Sequence, residues 1–260
     1  GCSETKIGLN KAYLKFLSSF RCPILPMRYE SAELTKISIN IFLAASVTIS
    51  NTLAEISELI GADWSEIKPS LQLDKRIGPN SYLNPGLGLS GGNLERDLNT
   101  IVQLGYKYGS HYEAINSIIE NSKHRKNWLW RTFKKTEIFG ARNKKIAILG
   151  LSYKENTDSI KNSPSIEFIA KLSNYSVSVH DPKVTTTLAD FVTFHDEIYE
   201  CISGADLLVV ATPWSEYKHL DLIKIKKIMH GRTIIDPYQL INYDFAKVHG
   251  FSYKTLGKSS

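Results

Sequence analysis

The chain has 260 residues, of which 42% are hydrophobic and 22% charged, with a formal net charge of +6. This length suits one large or two ordinary domains, and the composition is that of a folded globular protein. No run of about 18 apolar residues occurs, so we expect no transmembrane helix. The first residues lack the apolar stretch of a signal peptide. Three scattered cysteines form neither a disulfide framework nor a CxxC pair, which favours a cytoplasmic location.

Residues 1–30 form the first of three segments. We predict a short strand at 6–9 and a short helix at 11–20, after which two prolines interrupt the chain. The segment is too short to be a domain, and we interpret it as the end of a domain that lies upstream.

Residues 31–139 form the second segment, which we predict to be helical. Apolar residues recur at spacings of three and four between positions 37 and 60, which indicates a helix of about eight turns that ends at Gly61. An exposed apolar stripe of this length is costly in water, so the helix needs a partner. We expect that partner to be a second copy of the chain.

The rest of this segment holds shorter predicted helices. Asp63 fits the N-cap of a short helix, which Pro69 and a loop at 72–92 interrupt. Two further helices are predicted at 93–106 and 112–133.

Residues 140–260 form the third segment, in which predicted strands and helices alternate. Apolar runs predict strands at 146–150, 177–181, 207–212 and 233–236, and a helix is predicted at 165–172. This alternation predicts an α/β fold with a Rossmann-like parallel sheet covered by helices on both faces. Ligands bind such sheets beyond the carboxyl ends of the strands. Four residues fall at those ends: Gly150, Asp181, Thr212 and Asp236.

Basic residues are concentrated between positions 123 and 145, where tryptophan, leucine and phenylalanine are interleaved with them. One interpretation is a nucleic-acid-binding surface. The other is a solvated helix end with one buried face. No recognition motif accompanies the cluster, so we expect no nucleic-acid partner.

The loop at 84–92 has the densest group of glycines, and residues 86–91 match the pattern GxGxxG. We reject a dinucleotide-binding turn here, because prolines rather than a strand precede the loop. A glycine loop that opens a helix can bind a polar ligand through its backbone N–H groups. An ordinary flexible turn has the same composition, and the local sequence leaves both interpretations open.

Six segments resemble, in order, motifs of the UDP-glucose/GDP-mannose dehydrogenase family of NAD-dependent nucleotide-sugar dehydrogenases. They are SAELTKISINIFLA at 31–44, LDKRIGP at 73–79, YLNPG and LERD within 82–97, ILGLSYK, NTD and NSP within 148–164, ATPWSEY at 211–217 and GFSY at 250–253. The resemblance implies a central helical dimerisation domain at 31–139 and a C-terminal UDP-binding domain at 140–260. Residues 1–30 would be the remnant of an N-terminal NAD-binding domain, so the NAD site would be incomplete in this chain.

The resemblance assigns a catalytic role to Lys36, Asn40 and Asp97. Lys36 and Asn40 lie one turn apart on one helix face, where an ammonium and an amide can stabilise an oxyanion at the sugar carbon. Asp97 would act as a general base or position a water molecule. The alternatives are a solvated surface lysine and a carboxylate that merely complements a helix dipole.

The resemblance also implies binding residues. The substrate-binding positions are Arg76, Tyr82, Leu83, Asn84, Gly88, Tyr153 and Lys154. Arg76 would reach the sugar in a neighbouring subunit, and Lys154 beyond a strand end suits a diphosphate or is simply solvated. Lys161 and Gly92 are assigned to the cofactor, and no metal site is expected.

Three features depart from the family pattern. Asn93 stands where the family has its nucleophilic cysteine, and a carboxamide cannot form the covalent intermediates that a thiol forms. Lys161 stands where arginine is frequent, and residues 236–239 lack an arginine that family members often carry. The resemblance also implies that most of the NAD-binding domain would be missing from this sequence.

We therefore expect an oxidoreductase of polysaccharide biosynthesis that resembles UDP-glucose 6-dehydrogenase and oxidises a UDP-sugar with NAD. Without the cysteine, the reaction would be limited to one two-electron oxidation. The alternative is a non-catalytic homologue that binds a nucleotide sugar and dimerises through the long helix. No membrane partner is expected.

Overall fold

A computed structural model describes residues 10–185 and 189–259, so the strand predicted at 6–9 lies outside the described residues. The chain begins with helix α1 (Lys11–Ser18), which Asn10 caps and which has no buried residue. Helix α2 (Tyr29–Ile60) follows and is the longest element of the described chain. It ends at Gly61, whose φ of 81° is the left-handed conformation expected at a helix C-terminus. The predicted long helix and its end are confirmed.

Helices α3 (Trp64–Leu73) and α4 (Asn93–Tyr108) flank the glycine loop. The Asp63 carboxylate accepts a hydrogen bond from the Ser65 amide at 2.8 Å, which confirms the predicted N-cap. The predicted interruption at Pro69 is wrong, because α3 continues through this residue and ends four residues later. Proline has no amide to donate, so α3 lacks one internal hydrogen bond without losing its path.

The helix predicted at 112–133 is two helices, α5 (Glu113–Lys126) and α6 (Trp128–Phe133). Asn127 separates them with φ −79° and ψ 3°, outside the α-helical region. The break allows α6 to place Trp128 and Phe133 in the apolar core under the sheet. Although α6 precedes the predicted domain boundary at 139, it packs with the C-terminal part of the chain.

The face of α2 that packs inside the chain is made of small residues rather than of the predicted apolar stripe. The buried residues of α2 are Ala44, Ser50, Asn51, Ala54 and Ser57. The stripe instead remains largely exposed over the second half of the helix, at Ile49, Leu53, Ile56 and Ile60. Short side chains let α4 and α5 pack closely on α2, and the stripe is left for another surface.

Helix α2 also has the length and apolarity to cross a membrane, with a mean hydropathy of 1.5 over its most apolar window. It is the one helix of the described chain that meets these criteria, although no uninterrupted apolar run occurs in it. Its ion pairs with other helices, including Lys36 with Asp97 and Glu55 with Arg125, show that one face packs on protein. The absence of a membrane partner stays a prediction.

The C-terminal part is a parallel sheet with the strand order β3-β2-β1-β4-β5-β6. The strands are β1 (Lys145–Leu149), β2 (Ser176–His180), β3 (Val192–Phe194), β4 (Leu207–Val210), β5 (Thr233–Ile235) and β6 (Ser252–Lys254). The four predicted strands are confirmed. The strands β3 and β6 were not predicted, because their residues are only partly buried and form no continuous apolar run, unlike those of the equally short β5. The strand order places β1 beside β2 and β4, so Leu149 lies between His180 and Val210.

Helices cover both faces of the sheet, as predicted. They are α7 (Pro164–Ile169), α8 (Ile198–Ile202), α9 (Leu222–Ile228), α10 (Tyr243–Val248) and a 3₁₀ helix (Ser215–His219). One apolar layer joins the sheet to α6 and α7, and the other joins it to α8, α9 and α10. The segment after β6 then returns to the helical part, where the Gly257 amide donates to Glu58 at 2.8 Å and Lys258 pairs with Asp63 at 2.8 Å.

The basic cluster is largely used within the fold. Five of its members form ion pairs with carboxylates, namely Lys123 with Glu120, Arg125 and Arg131 with Glu55, Lys126 with Glu95 and Lys144 with Asp206. The Arg125 side chain is fully buried. These pairs favour the interpretation of a packed helix end over that of a nucleic-acid surface.

Gly150 ends β1 in a conformation that excludes a side chain. Its φ is +99°, and a Cβ atom there would lie 2.6 Å from the Thr212 amide nitrogen. Left-handed backbone and steric overlap both penalise alanine, so we expect Gly150→Ala to lower the free energy of unfolding by about 3 kcal/mol. Urea denaturation followed by circular dichroism measures this difference.

The matched control is Gly250→Ala. Gly250 has a similar φ of +82° but no atom within 4 Å of the added carbon, so about 1 kcal/mol should be lost. Equal losses in the two variants would show that the contact between β1 and β4 ends does not restrict position 150.

Candidate active site

A carboxylate on α4 meets two polar side chains on α2. Asp97 Oδ2 accepts hydrogen bonds from Lys36 Nζ at 2.5 Å and from Asn40 Nδ2 at 2.6 Å. The two donors lie one helical turn apart, so both project from the face of α2 that packs on α4. The structure therefore brings together the three residues that were predicted to be catalytic.

The electrostatic environment keeps Asp97 ionised. Asp97 is 3% exposed. Besides Lys36 and Asn40, the Arg96 guanidinium also donates to it, with Nη2 at 3.3 Å from Oδ1. The hydrogen bond from Lys36, reinforced by Asn40 and Arg96, holds the pKa of the Asp97 carboxyl below its usual range despite burial. The Lys36 side chain is 59% exposed, so the ion pair lies at the surface of the described chain on its lysine side. The ion pair with Asp97 distinguishes Lys36 from an unpaired surface lysine, and the catalytic roles of both residues stay predictions.

The loop between α3 and α4 is fixed by the polar residues of α2. The Asn51 side chain accepts a hydrogen bond from the Gly86 amide at 2.8 Å. The Leu83 side chain is buried, and its carbonyl accepts from Trp64 Nε1 at 2.8 Å. The Leu83 carbonyl is therefore already hydrogen-bonded within the chain. The predicted role of Leu83 in substrate binding stays a prediction.

Gly88 lets the loop lie directly on α5. With φ +85°, a Cβ there would stand 2.6 Å from the Ser122 carbonyl oxygen. The next amide, that of Leu89, donates to Ser122 Oγ at 2.8 Å. Close packing accounts for this glycine, and the predicted contact with the substrate is an additional role that stays a prediction.

The sheet domain contacts the end of the same loop. A Cβ at Gly91 would lie 3.2 Å from the Tyr153 ring, and a Cβ at Gly92 would lie 2.9 Å from Lys161 Nζ. Asn162 Nδ2 donates to the Gly91 carbonyl at 2.9 Å. Lys161 and Gly92, which were both assigned to the cofactor, are thus neighbours across the two parts of the chain.

Asn93 is the first residue of α4 and is exposed. It follows Gly92 directly and lies one helical turn before Asp97, so it borders both the Lys161 contact and the carboxylate centre. Its carboxamide takes the place of the thiol that the family pattern has at this position. The two cysteines of the described chain lie elsewhere, with Cys22 exposed before α2 and Cys201 buried in α8.

A cavity of about 400 Å³ lies between α3, the glycine loop and the ends of β4 and β5. Asn84 lines it and accepts a hydrogen bond from Lys68 Nζ at 2.6 Å. Tyr238 and Lys218 line the side that belongs to the sheet. The position agrees with the rule that ligands bind beyond the carboxyl ends of parallel strands.

Three other predicted binding residues lie outside this cavity. Arg76 is exposed and forms an ion pair with Asp74 at 2.6 Å, and Tyr82 is 53% exposed. Lys154 is exposed, with its ammonium 5.6 Å from the centre of the Tyr153 ring. The role of Arg76 in a neighbouring subunit stays a prediction.

The acidic residues at the strand ends turn inward rather than toward a ligand. Asp181 accepts hydrogen bonds from the Leu151 amide at 2.7 Å and the Ser152 amide at 3.1 Å, and also from Trp214 Nε1 at 3.2 Å. Asp236 is fully buried and accepts from Tyr253 Oη at 2.7 Å, and burial raises the pKa of its carboxyl. Both residues hold loops in place.

Several residues of the site were missed in the sequence. Arg96 stands inside a motif that was already noted, and adjacency to Asp97 was an available signal. Asn51 continues the face of α2 that carries Lys36 and Asn40, so helical periodicity would have found it. Glu95, which contacts Lys126 and Asn162, gave no local signal because its partners are distant in sequence.

Comparison with known proteins identifies two segments of the chain with one family. Residues 30–123 match the central domain of the UDP-glucose/GDP-mannose dehydrogenase family, and residues 147–243 match its UDP binding domain. The UDP-glucose 6-dehydrogenase TuaD of Bacillus subtilis is 28% identical over 92% of this chain and 53% of the relative. A UDP-glucose 6-dehydrogenase of Rickettsia prowazekii is 31% identical over 98% of this chain and 60% of the relative. The chain thus spans little more than half the length of these relatives.

Solved structures show the same fold. A UDP-glucose dehydrogenase from Pyrobaculum islandicum has a TM-score of 0.79 at 22% identity, over 97% of this chain and 57% of that one. An NDP-N-acetyl-D-galactosaminuronic acid dehydrogenase from Methanosarcina mazei has a TM-score of 0.78 at 25% identity, over 90% of this chain and 52% of that one. The predicted order of a long-helix domain and a parallel α/β domain is confirmed.

The Asp97 contacts predict how stability depends on pH. The pKa of the Asp97 carboxyl is lower in the folded state than its ordinary value of 3.8. The ionised carboxylate therefore stabilises the folded state above pH 3.8, and this contribution is lost as the pH falls from 3.8 through the lowered pKa. At pH 7 we expect Asp97→Asn to lower the free energy of unfolding by about 1 kcal/mol, since water screens the exposed Lys36. The difference between the two proteins should shrink at pH 3.

Glu120→Gln is the control, because Glu120 forms an exposed ion pair with Lys123 on α5. We expect it to change the free energy of unfolding by less than about 0.5 kcal/mol at either pH. Urea titrations at pH 7 and pH 3 measure both variants. An Asp97→Asn difference that stays constant or grows on acidification would contradict the ionised, hydrogen-bonded carboxylate.

Proposed function

The chain belongs to the UDP-glucose/GDP-mannose dehydrogenase family, and on that basis we propose that it takes part in the NAD-dependent oxidation of a nucleotide sugar. A UDP-sugar is the proposed substrate, because the sheet domain matches the family's UDP binding domain and the relatives are UDP-glucose 6-dehydrogenases. The observation that carries the proposal is the meeting of Lys36 and Asn40 with Asp97.

The carboxylate centre suits proton removal from a sugar hydroxyl. A hydroxyl that enters beside Lys36 can exchange one of the Asp97 hydrogen bonds for its own and give its proton to the ionised carboxylate. The Lys36 ammonium and the Asn40 amide then face the oxygen on which negative charge develops, and they stabilise it without moving far. The loss of a hydride from the same carbon completes the conversion of the alcohol to an aldehyde.

NAD supplies the hydride acceptor when it is bound, but the described residues do not form a complete dinucleotide site. The literal GxGxxG match lies in the glycine loop, which follows α3 rather than a strand. In the sheet domain, Asp181 would be the candidate for binding a ribose, and its oxygens are already occupied by amides. Lys161 and Gly92 can line one edge of a cofactor site, and we propose that the rest comes from the part of the relatives that this chain does not cover.

The substitution at the family's cysteine position limits the proposed chemistry. A second oxidation of the aldehyde through a covalent intermediate needs a nucleophile beside the sugar, and the Asn93 carboxamide is not nucleophilic at neutral pH. We therefore propose that the reaction stops after the transfer of two electrons. The products are then one aldehyde, one NADH and one proton for each sugar.

A second candidate function is binding without catalysis. The observation that favours it is the same Asn93, because loss of the nucleophile is what a homologue retained only for sugar-nucleotide binding would show. The retention of Lys36, Asn40 and Asp97 in hydrogen-bonding geometry favours the enzyme instead.

We also propose that two copies associate through α2. Its apolar residues Ile39, Phe42 and Ile49 are between 57% and 77% exposed, and a shallow groove of about 590 Å³ runs along the first half of the helix. An apolar surface of this kind on a helix is costly in water and is covered in oligomers. A second α2 of the same sequence offers a matching surface.

The proposed reaction can be tested by measuring turnover by the complete gene product with NAD and a panel of UDP-, GDP- and TDP-sugars. We expect NADH to appear with a UDP-sugar, and Lys36→Ala to lower kcat by about 10²-fold to 10³-fold through loss of oxyanion stabilisation. Lys107→Ala, at the exposed end of α4, is the control and should leave kcat unchanged. NADH absorbance measures both.

Binding distinguishes the remaining outcomes. If calorimetry detects binding of a UDP-sugar but no NADH forms, the oxidoreductase proposal is wrong and the non-catalytic binding function is favoured. Neither binding nor NADH with any of the sugars would contradict both candidates.

The proposed dimer can be tested by measuring how two copies of the chain associate. We expect the chain to sediment as a dimer, and Phe42→Glu to yield monomers, because two buried carboxylates at the contact would be unpaired. Val248→Glu is the control, since Val248 is 83% exposed on α10 in the sheet domain. Sedimentation velocity gives the answer, and a dimer that persists in Phe42→Glu would place the contact elsewhere.

A further inference from the structure

Glu95 is placed between the three parts of the molecule that surround the glycine loop. Its Oε1 accepts a hydrogen bond from Lys126 Nζ of α5 at 2.6 Å. Its Oε2 accepts from Asn162 Nδ2 of the sheet domain at 2.7 Å. The same Asn162 amide group also donates to the Gly91 carbonyl at 2.9 Å. One carboxylate in the first turn of α4 thus connects α5, the sheet domain and the loop.

The pair with Lys126 is not an ordinary surface pair. The Lys126 side chain is 9% exposed, and its stem runs beside Gly88, where an added Cβ would lie 3.1 Å from Lys126 Cγ. An ammonium in such surroundings needs a carboxylate partner. The Glu95 side chain is 31% exposed, and both of its carboxylate oxygens accept hydrogen bonds.

The neighbours of these residues are the proposed reacting groups. Glu95 lies in α4 between Asn93 and Asp97, so a shift of its backbone moves both. Asn162 directly follows Lys161, whose ammonium faces Gly92. The contact between Glu95 and Asn162 therefore sets the distance between Lys161 and the start of α4.

We propose that Glu95 is a positioning residue that couples the sheet domain to the carboxylate centre through Asn162. This inference rests on the proposed function for its effect on the reaction, but its structural part stands independently. A role as counter-ion for Lys126 alone would stabilise the fold without affecting the geometry at Asn93 and Asp97. The two roles can be separated because they use different carboxylate oxygens.

The experiment compares Glu95→Gln/Lys126→Met with Glu95→Leu/Lys126→Met in the complete gene product. Both variants lack the buried ammonium, so neither leaves an uncompensated charge. Glutamine keeps an acceptor for Asn162, whereas leucine has none, so the pair differs in the contact under test. Urea denaturation of both variants checks that they fold with similar stability.

Two quantities are measured. Hydrogen exchange of the amides from Gly88 to Asn93 should be about tenfold faster in the leucine variant, because residue 95 no longer holds the Asn162 amide that donates to the Gly91 carbonyl. The kcat for the UDP-sugar should be about tenfold lower in the leucine variant with a smaller change in KM, since misplacement of reacting groups affects the chemical step.

Equal exchange in the two variants would overturn the proposal and leave Glu95 as a counter-ion. Faster exchange with unchanged kcat would also overturn it, because the coupling would not reach the reacting groups. If no protein turns over any sugar while exchange still differs as expected, the proposed function fails and the structural coupling through Glu95 stands.

Discussion

The ion pair between Lys36 and Asp97 joins helices that are distant in sequence, and the rest of the site is arranged around it. Helix α2 carries Lys36 and Asn40 near its beginning and Asn51 in its middle, where Asn51 holds the glycine loop. Because a helix is stiff, the carboxylate centre and the loop keep a fixed separation. The small residues on this face of α2 let α4 approach closely enough for Asp97 to be reached.

The sheet domain contributes to the same site from the opposite side. Tyr153 and Lys161 lie against the backbone of Gly91 and Gly92 just before α4. A side chain at Gly91 would crowd the Tyr153 ring, and one at Gly92 would crowd the Lys161 ammonium. Asn93 is therefore flanked along the chain by two contacts with lysines, that of Gly92 with Lys161 and that of Asp97 with Lys36. A thiolate at this position would be a nucleophile, whereas the carboxamide of Asn93 is not.

Local patterns predicted the elements whose determinants are local. Gly61 and Asp63 marked helix ends correctly, and apolar runs marked β1, β2, β4 and β5. The break at Asn127 was missed because it follows from the packing of α6 on the sheet rather than from a helix-breaking residue. The family resemblance supplied Lys36, Asn40 and Asp97, which the structure brings together. The contacts of Glu95 with Lys126 and Asn162 could not be predicted, because they depend on how the two parts of the chain meet.

The ratio of NADH formed to sugar consumed tests the central claim most directly. We propose that the site removes two electrons from the sugar and that, with Asn93 in place of the family's cysteine, it forms no covalent intermediate for a second oxidation. With limiting UDP-sugar, the complete gene product should form one NADH per sugar and a product two mass units lighter than the substrate. Asn93→Cys should raise the ratio toward two and give the acid. Two NADH per sugar from the native protein, with an acid as product, would contradict the account.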